Sequence, residues 1–174
     1  MKILIAYATT DGQTRKIARY CSGYLVNKGH SVELIPAQDA EPLDLAGFDR
    51  AVLAGSLHAG GFQKDLHDLA ETHAEKLGEM GAVFLAVSLT AAGNDDEDWK
   101  GLHRCMACFE DETGWTPART LHVAGAFRFS KYDFFRAWAM RRIAAERDET
   151  VDTNTDKEYT DWAALAREMD CLVA

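Results

Sequence analysis

The stretch that most constrains this chain is Ala8-Thr9-Thr10-Asp11-Gly12-Gln13-Thr14. It follows the apolar run Ile3-Leu4-Ile5-Ala6-Tyr7 and precedes apolar residues at helical spacing: Ile17, Ala18, Cys21, Tyr24 and Leu25. The order is strand, short polar loop, helix. The start of such a helix carries unpaired N–H groups and the positive end of its dipole. Hydroxyls of Thr9, Thr10 and Thr14 add donors, and Gly12 lets the backbone approach a ligand closely. Such a loop suits a phosphate. The Lys of G-x-x-x-x-G-K-[ST] is absent, which points away from nucleoside triphosphates. G-x-G-x-x-G is absent too, which points away from a dinucleotide. A single phosphate monoester is the natural guest. The same residues read equally well as an ordinary helix N-cap, since Thr and Asp are common caps.

Residues 2–7 form an expected first strand, apolar on both faces as a central parallel strand should be. A helix is predicted over 13–28 with Gly29 as its stop, then a short alternating strand over 31–35 and a loop over 36–47 with a helical turn near 42–45. Further strands are expected at 49–55, 82–88 and 120–125, with helices over 63–76, 99–112 and 160–172. Strand alternating with helix argues a parallel sheet with helices on both faces. At 174 residues the chain is one domain by size.

The net charge of −9 disfavours a broad nucleic-acid surface. No secretion signal precedes Met1-Lys2-Ile3, so a cytoplasmic protein with reduced thiols is expected. Cys105 and Cys108 have C-x-x-C spacing, but one pair without a second pair or a His set is weak evidence for a metal, and none is assigned. Two thiols on neighbouring turns of a helix explain the spacing as well. No apolar run reaches the roughly 20 residues of a membrane span.

In open α/β sheets, ligands sit outside the carboxyl ends of the strands. Three such ends are expected here: residues 9–14; Ser56-Leu57-His58-Ala59-Gly60-Gly61; and Ser88-Leu89-Thr90-Ala91-Ala92-Gly93. All three are rich in small residues, which leave room for a flat ring and present backbone groups to its edge. One loop for a phosphate and two for a planar heterocycle describe flavin mononucleotide (FMN). Plain turn chemistry accounts for the glycines of any one loop taken alone.

Two stretches exceed the minimal plan. About thirty residues separate the fourth and fifth strands, beginning with the acidic run Asn94-Asp95-Asp96-Glu97-Asp98. That run is read as a solvated loop with Asp98 as a cap. Residues 93–116 are expected to form a lid or wall over the flavin, lined or supported by Trp99, Met106, Phe109 and Trp115. Residues 130–147 mix Phe134, Phe135 and Trp138 with Arg136, Arg141 and Arg142. Such a stripe packs on its own sheet with its arginines snorkelling, or lies on an anionic membrane surface.

The chain resembles the flavodoxin superfamily. Within it, the resemblance is to the menaquinone-dependent protoporphyrinogen IX dehydrogenases of bacterial haem synthesis. It rests on Asp11-Gly12-Gln13-Thr14-Arg15, Phe48-Asp49-Arg50, Gly55-Ser56, Ala124-Gly125-Ala126-Phe127-Arg128 and Lys157-Glu158-Tyr159-Thr160-Asp161-Trp162, and runs over nearly the whole chain. It implies a three-layer flavodoxin-like sandwich, with a five-stranded parallel sheet in the order 2-1-3-4-5 and a helical insertion between strands 4 and 5, at about residues 91–118 of a single domain. It implies FMN held by Thr9, Thr10, Asp11, Gly12, Gln13 and Thr14 at the phosphate, and by Ser56, Leu57, His58, Ala59, Gly60, Ser88, Leu89, Thr90 and Ala91 at the ring. It implies oxidation of a porphyrinogen with a quinone as acceptor, with peripheral membrane contact through 130–147. His58 is the candidate for proton exchange, although a loop histidine exposed to water reads the same way. An electron-transfer flavodoxin, docking through an acidic surface, or a general FMN-dependent quinone reductase remains the alternative. The family's segment between strands 4 and 5 tends to be basic, whereas Asn94 to Asp98 is acidic here.

Overall fold

The computed structural model describes residues 1–40, 42–58, 60–127 and 157–174. Strand β1 (Lys2–Ala8) lies inside the sheet, and Ile3, Leu4, Ile5 and Ala6 are wholly buried, on both faces. It pairs in parallel with β2 (Ser31–Pro36) on one side and β3 (Arg50–Ser56) on the other. Beyond β3 lie β4 (Val83–Ser88) and β5 (Arg119–Ala124), also parallel, giving the order β2-β1-β3-β4-β5 expected from the sequence.

Each face of the sheet has its own apolar layer. Helices α1 (Gln13–Asn27) and α6 (Trp162–Val173) cover one face, where Ile17, Cys21, Leu25, Leu165 and Met169 meet Ile3, Ile5, Val52 and Leu85. Burial pushes the Cys21 thiol up to about 12, so it serves as a small apolar side chain there. Besides the short α2 (Ala37–Ala40), the other face carries α3 (Lys64–Thr72), α4 (Ala74–Glu79) and α5 (Asp96–Thr113), whose Leu66, Leu69, Leu77, Met106 and Phe109 meet Leu4, Leu53 and Phe84. The approach of α3 to the sheet needs a glycine: a Cβ on Gly55 would stand 2.4 Å from Leu66 Cδ2. A second, two-stranded sheet pairs β6 (Ala126–Phe127) antiparallel with β7 (Lys157–Glu158).

Three expectations need correction. The helix expected over 63–76 is two helices, because His73 leaves helical geometry at φ −116° and ψ 19°. The acidic run is the start of a helix rather than a solvated loop. Asp95, not Asp98, caps α5, with Oδ1 accepting from the N–H groups of Glu97 at 3.0 Å and Asp98 at 3.1 Å. Asp96, Glu97 and Asp98 fill the first turn, where negative charge complements the dipole. The helical segment between the fourth and fifth strands is present as α5. Two adjacent parallel strands require a crossover, and α5 supplies it. Met106, Phe109 and Trp115 are in the core, between 1 and 5 % exposed, so they are not available to line a ligand. The amphipathic stretch 130–147, Arg128 and Ala59 lie outside the described residues.

Candidate cofactor site

Strands β1, β3 and β4 are neighbours in the sheet, so the three small-residue loops that follow them share one edge. From β1 the chain goes outward to β2 and then back across to β3. The crevice between β1 and β3 is therefore the point where strand order reverses, the place ligands take in such sheets.

The first loop decides between the two readings of its residues. The N-cap of α1 is Gly12, at φ +90°, and no side chain caps the helix. Thr9 does not cap it either: its Oγ1 accepts from the Gly12 N–H at 2.9 Å and closes the loop on itself. Thr14, in the first turn, is fully buried, and its hydroxyl has no partner. An N-terminus without a side-chain cap, beside an unpartnered buried hydroxyl, fits an anion.

The other two loops are held by backbone and small side chains. The Leu57 N–H donates to the Val87 carbonyl at 2.8 Å, extending the β3–β4 pairing past Ser56. His58 and Gly61 exchange N–H···O bonds of 2.9 and 3.1 Å, making a tight turn that contains Gly60 at φ +87°. From α5, the Cys105 Sγ donates to the Gly60 carbonyl at 3.3 Å and braces this loop. Ser88 Oγ accepts from the Ala91 N–H at 3.1 Å and starts the 3-10 turn Thr90–Ala92. Leu89, Thr90 and Ala91 are half-buried, and His58 is exposed. These are loops that leave room for a flat ring and offer it backbone groups, and the residues present fit FMN. Among the described residues, no group of three or more His, Cys, Asp or Glu side chains could hold a metal ion.

Two features were not legible in the loops themselves. Gln63 Nε2 donates to Thr10 Oγ1 at 3.1 Å and to Ser56 Oγ at 2.5 Å, joining the first loop to the second. Glu158 of β7 reaches the first turns of α1, accepting from Gln13 Nε2 at 2.7 Å and from Lys16 Nζ at 2.8 Å. Desolvation raises the Glu158 carboxyl, but the bonds from Lys16 and Gln13 outweigh it and hold the group below its ordinary range. Thr160 completes the tie, accepting from Gln13 at 3.1 Å and donating to the Ala124 carbonyl at 2.8 Å. The Lys157-Glu158-Tyr159-Thr160-Asp161-Trp162 motif was the sequence signal for this contact.

Behind the Thr90–Ala92 turn, His122 of β5 packs against Trp99 and His103, with ring centroids 5.5 and 5.4 Å away. Burial first, and His103 second, lower the pKa of His122. A depressed histidine pKa gives stability that is complete above the unfolded value, about 6.5, and is lost as pH falls through the folded one. Thermal unfolding measured from pH 7.5 to 5 should therefore show wild-type protein losing stability faster than His122→Leu. Parallel pH profiles would show that His122 takes up its proton equally in the folded and unfolded chains.

The similarities agree with this geometry. The profile of the Flavodoxin domain matches residues 4–154. "Protoporphyrinogen IX dehydrogenase [quinone]" of Escherichia coli is 28% identical over 166 residues, covering 95% of this chain and 91% of that one. The protein of the same name from Leishmania major is 26% identical over 167 residues, covering 95% of this chain and 72% of that one. Among solved structures, a mutant flavodoxin from Pseudomonas aeruginosa shares the fold with a TM-score of 0.54 at 16% identity, over 100% of both chains. With the strand order, the crevice and the uncapped loop before α1 in place, the chain belongs to the flavodoxin domain family.

Proposed function

We propose that this protein is an FMN-dependent oxidoreductase that oxidises protoporphyrinogen IX and passes the electrons to a quinone, as a step of haem synthesis. The observation that carries the reading is the reach of the similarity: relatives named for that reaction align with 95% of this chain. FMN, when bound, supplies the redox centre that takes electrons from the porphyrinogen and yields them to the quinone.

The chain's own residues bind and orient. The backbone N–H groups at the start of α1 and the Thr14 hydroxyl hold the phosphate, with Thr9, Thr10 and Gly12 shaping the loop around it. Asp11 contributes backbone rather than its repelling carboxylate. Ser56, Leu57, His58, Ala59 and Gly60 flank the ring on one side, and Ser88, Leu89, Thr90 and Ala91 on the other. Backbone donors at the ring edge favour negative charge there. His58, exposed beside the ring, exchanges protons with substrate or water. The acidic run at the start of α5 caps that helix and complements its dipole. Among the described residues no helix is long and apolar enough to cross a membrane. The reading has the enzyme in the cytoplasm, meeting the quinone at the membrane surface through residues 130–147.

The test is anaerobic. FMN-loaded protein mixed with protoporphyrinogen IX should lose its oxidised-flavin absorbance and regain it on addition of menaquinone. If dithionite bleaches the flavin and porphyrinogen does not, the protein is an electron carrier or a general quinone reductase, and the proposal fails.

A further inference from the structure

Among the described residues, four buried side-chain polar atoms lack a hydrogen-bond partner: Thr14 Oγ1, Gln63 Oε1, Trp115 Nε1 and His122 Nδ1. Thr14 lies at the phosphate position, while Trp115 and His122 belong to aromatic clusters, that of His122 lying behind the Thr90–Ala92 turn. Gln63 is different. It is the residue just before α3, and no loop reading assigns it a ligand. Its amide nitrogen is fully engaged, with Thr10 Oγ1 at 3.1 Å and Ser56 Oγ at 2.5 Å. Thr10 and Ser56 are themselves adjacent, the Thr10 N–H lying 3.4 Å from Ser56 Oγ. The amide thus sits where the phosphate loop meets the ring loop, and its carbonyl oxygen is its one uncommitted atom.

A ligand with its phosphate at α1 and its ring between the β3 and β4 loops must pass its connecting chain over this junction. In FMN that chain is a ribityl group, a row of hydroxyls. A hydroxyl both donates and accepts, so it satisfies the vacant position of the Gln63 amide whichever way the amide is turned. A buried carbonyl left without a donor is costly, which gives the bond more weight than an exposed one would have. We propose that Gln63 is a flavin-binding residue that recognises a ribityl hydroxyl, and so selects a polyhydroxylated chain between phosphate and ring. The inference rests on the FMN reading of the cleft and adds a contact to it.

The experiment measures binding by flavin fluorescence with four ligands: FMN, riboflavin, lumiflavin (the ring without a ribityl chain) and FMN analogues lacking single ribityl hydroxyls. Gln63→Met keeps length and volume but removes the amide. It should weaken FMN and riboflavin by the same factor, about tenfold, and leave lumiflavin unchanged. One of the deoxy analogues should lose that factor in the unmodified protein and lose nothing further in Gln63→Met. Losses equal for lumiflavin and riboflavin would make Gln63 a structural brace between Thr10 and Ser56 and overturn the proposal. Unchanged affinities would overturn it as well. If Gln63→Met does not fold, the analogues decide in the unmodified protein: full affinity for every deoxy analogue overturns the proposal. Failure of the unmodified protein to bind any flavin would instead remove the FMN reading itself, a result separable from all of these.

Discussion

Phe109→Ala should lower the unfolding free energy by about 3–5 kcal/mol while leaving the affinity of the folded fraction for FMN close to wild type. Phe109 lies on α5, 1 % exposed, with its ring centroid 5.0 Å from Phe84 of β4, 5.4 Å from Phe62 and 4.7 Å from His67. Truncation to Ala removes the member shared by these pairs and leaves a cavity against the sheet, which close-packed neighbours refill only in part. Denaturant unfolding at constant pH measures the loss. The result separates a crossover helix from a lid. A lid residue would leave the midpoint untouched and lower turnover with a bulky substrate, and that outcome would overturn the placement of α5 in the core.

Thr14→Val should act in opposite directions on the two states of the protein. Without ligand, the Thr14 hydroxyl is buried and unpartnered, so replacing it by a methyl group of the same shape should raise the melting temperature. With FMN, the same change removes a hydrogen bond to a charged group, worth about 1.5–3 kcal/mol, or roughly 10- to 100-fold in affinity. Riboflavin, which has no phosphate, should bind both proteins alike. Calorimetry of the ligand-free forms and fluorescence titration of the two flavins test the three parts together. A variant that is less stable without ligand, or that loses riboflavin as much as FMN, would show that the hydroxyl serves the helix and not a phosphate.

The layout of the sheet was readable because buried parallel strands are written as unbroken apolar runs. Ile3 to Ala6, Ala51 to Ala54 and Val83 to Val87 are buried along their whole length, and the polar loops between runs mark the edge where a ligand sits. The five strands and their order follow from such runs and from the resemblance they support. The break at His73 was not readable, since neither glycine nor proline marks it. The burial of Met106, Phe109 and Trp115 was not readable, because a connection of about thirty residues looks excessive until the length of a parallel crossover is counted. Asp95 escaped notice because four acidic residues in a row offer no means of choosing the cap. Gln63 could not be found from local pattern at all. Its partners stand 53 and 7 residues away, and only the fold brings them together.

The β6–β7 pair has a consequence for how such a chain can be altered. Phe127 and Lys157 are partners in antiparallel register, which holds the chain that follows β5 beside the chain that leads into α6. Paired strands stand about 4.7–4.9 Å apart, and the cost of closing a loop between fixed ends grows only slowly with its length. The pair is fastened to the start of α1 through Glu158, Lys16 and Gln13, and Gly125, just before β6, donates its N–H to the carbonyl of Ser88 at the end of β4 at 2.9 Å. Changes to β6 or β7 can therefore be made without re-registering any strand of the main sheet, because among the described strands these two pair only with each other.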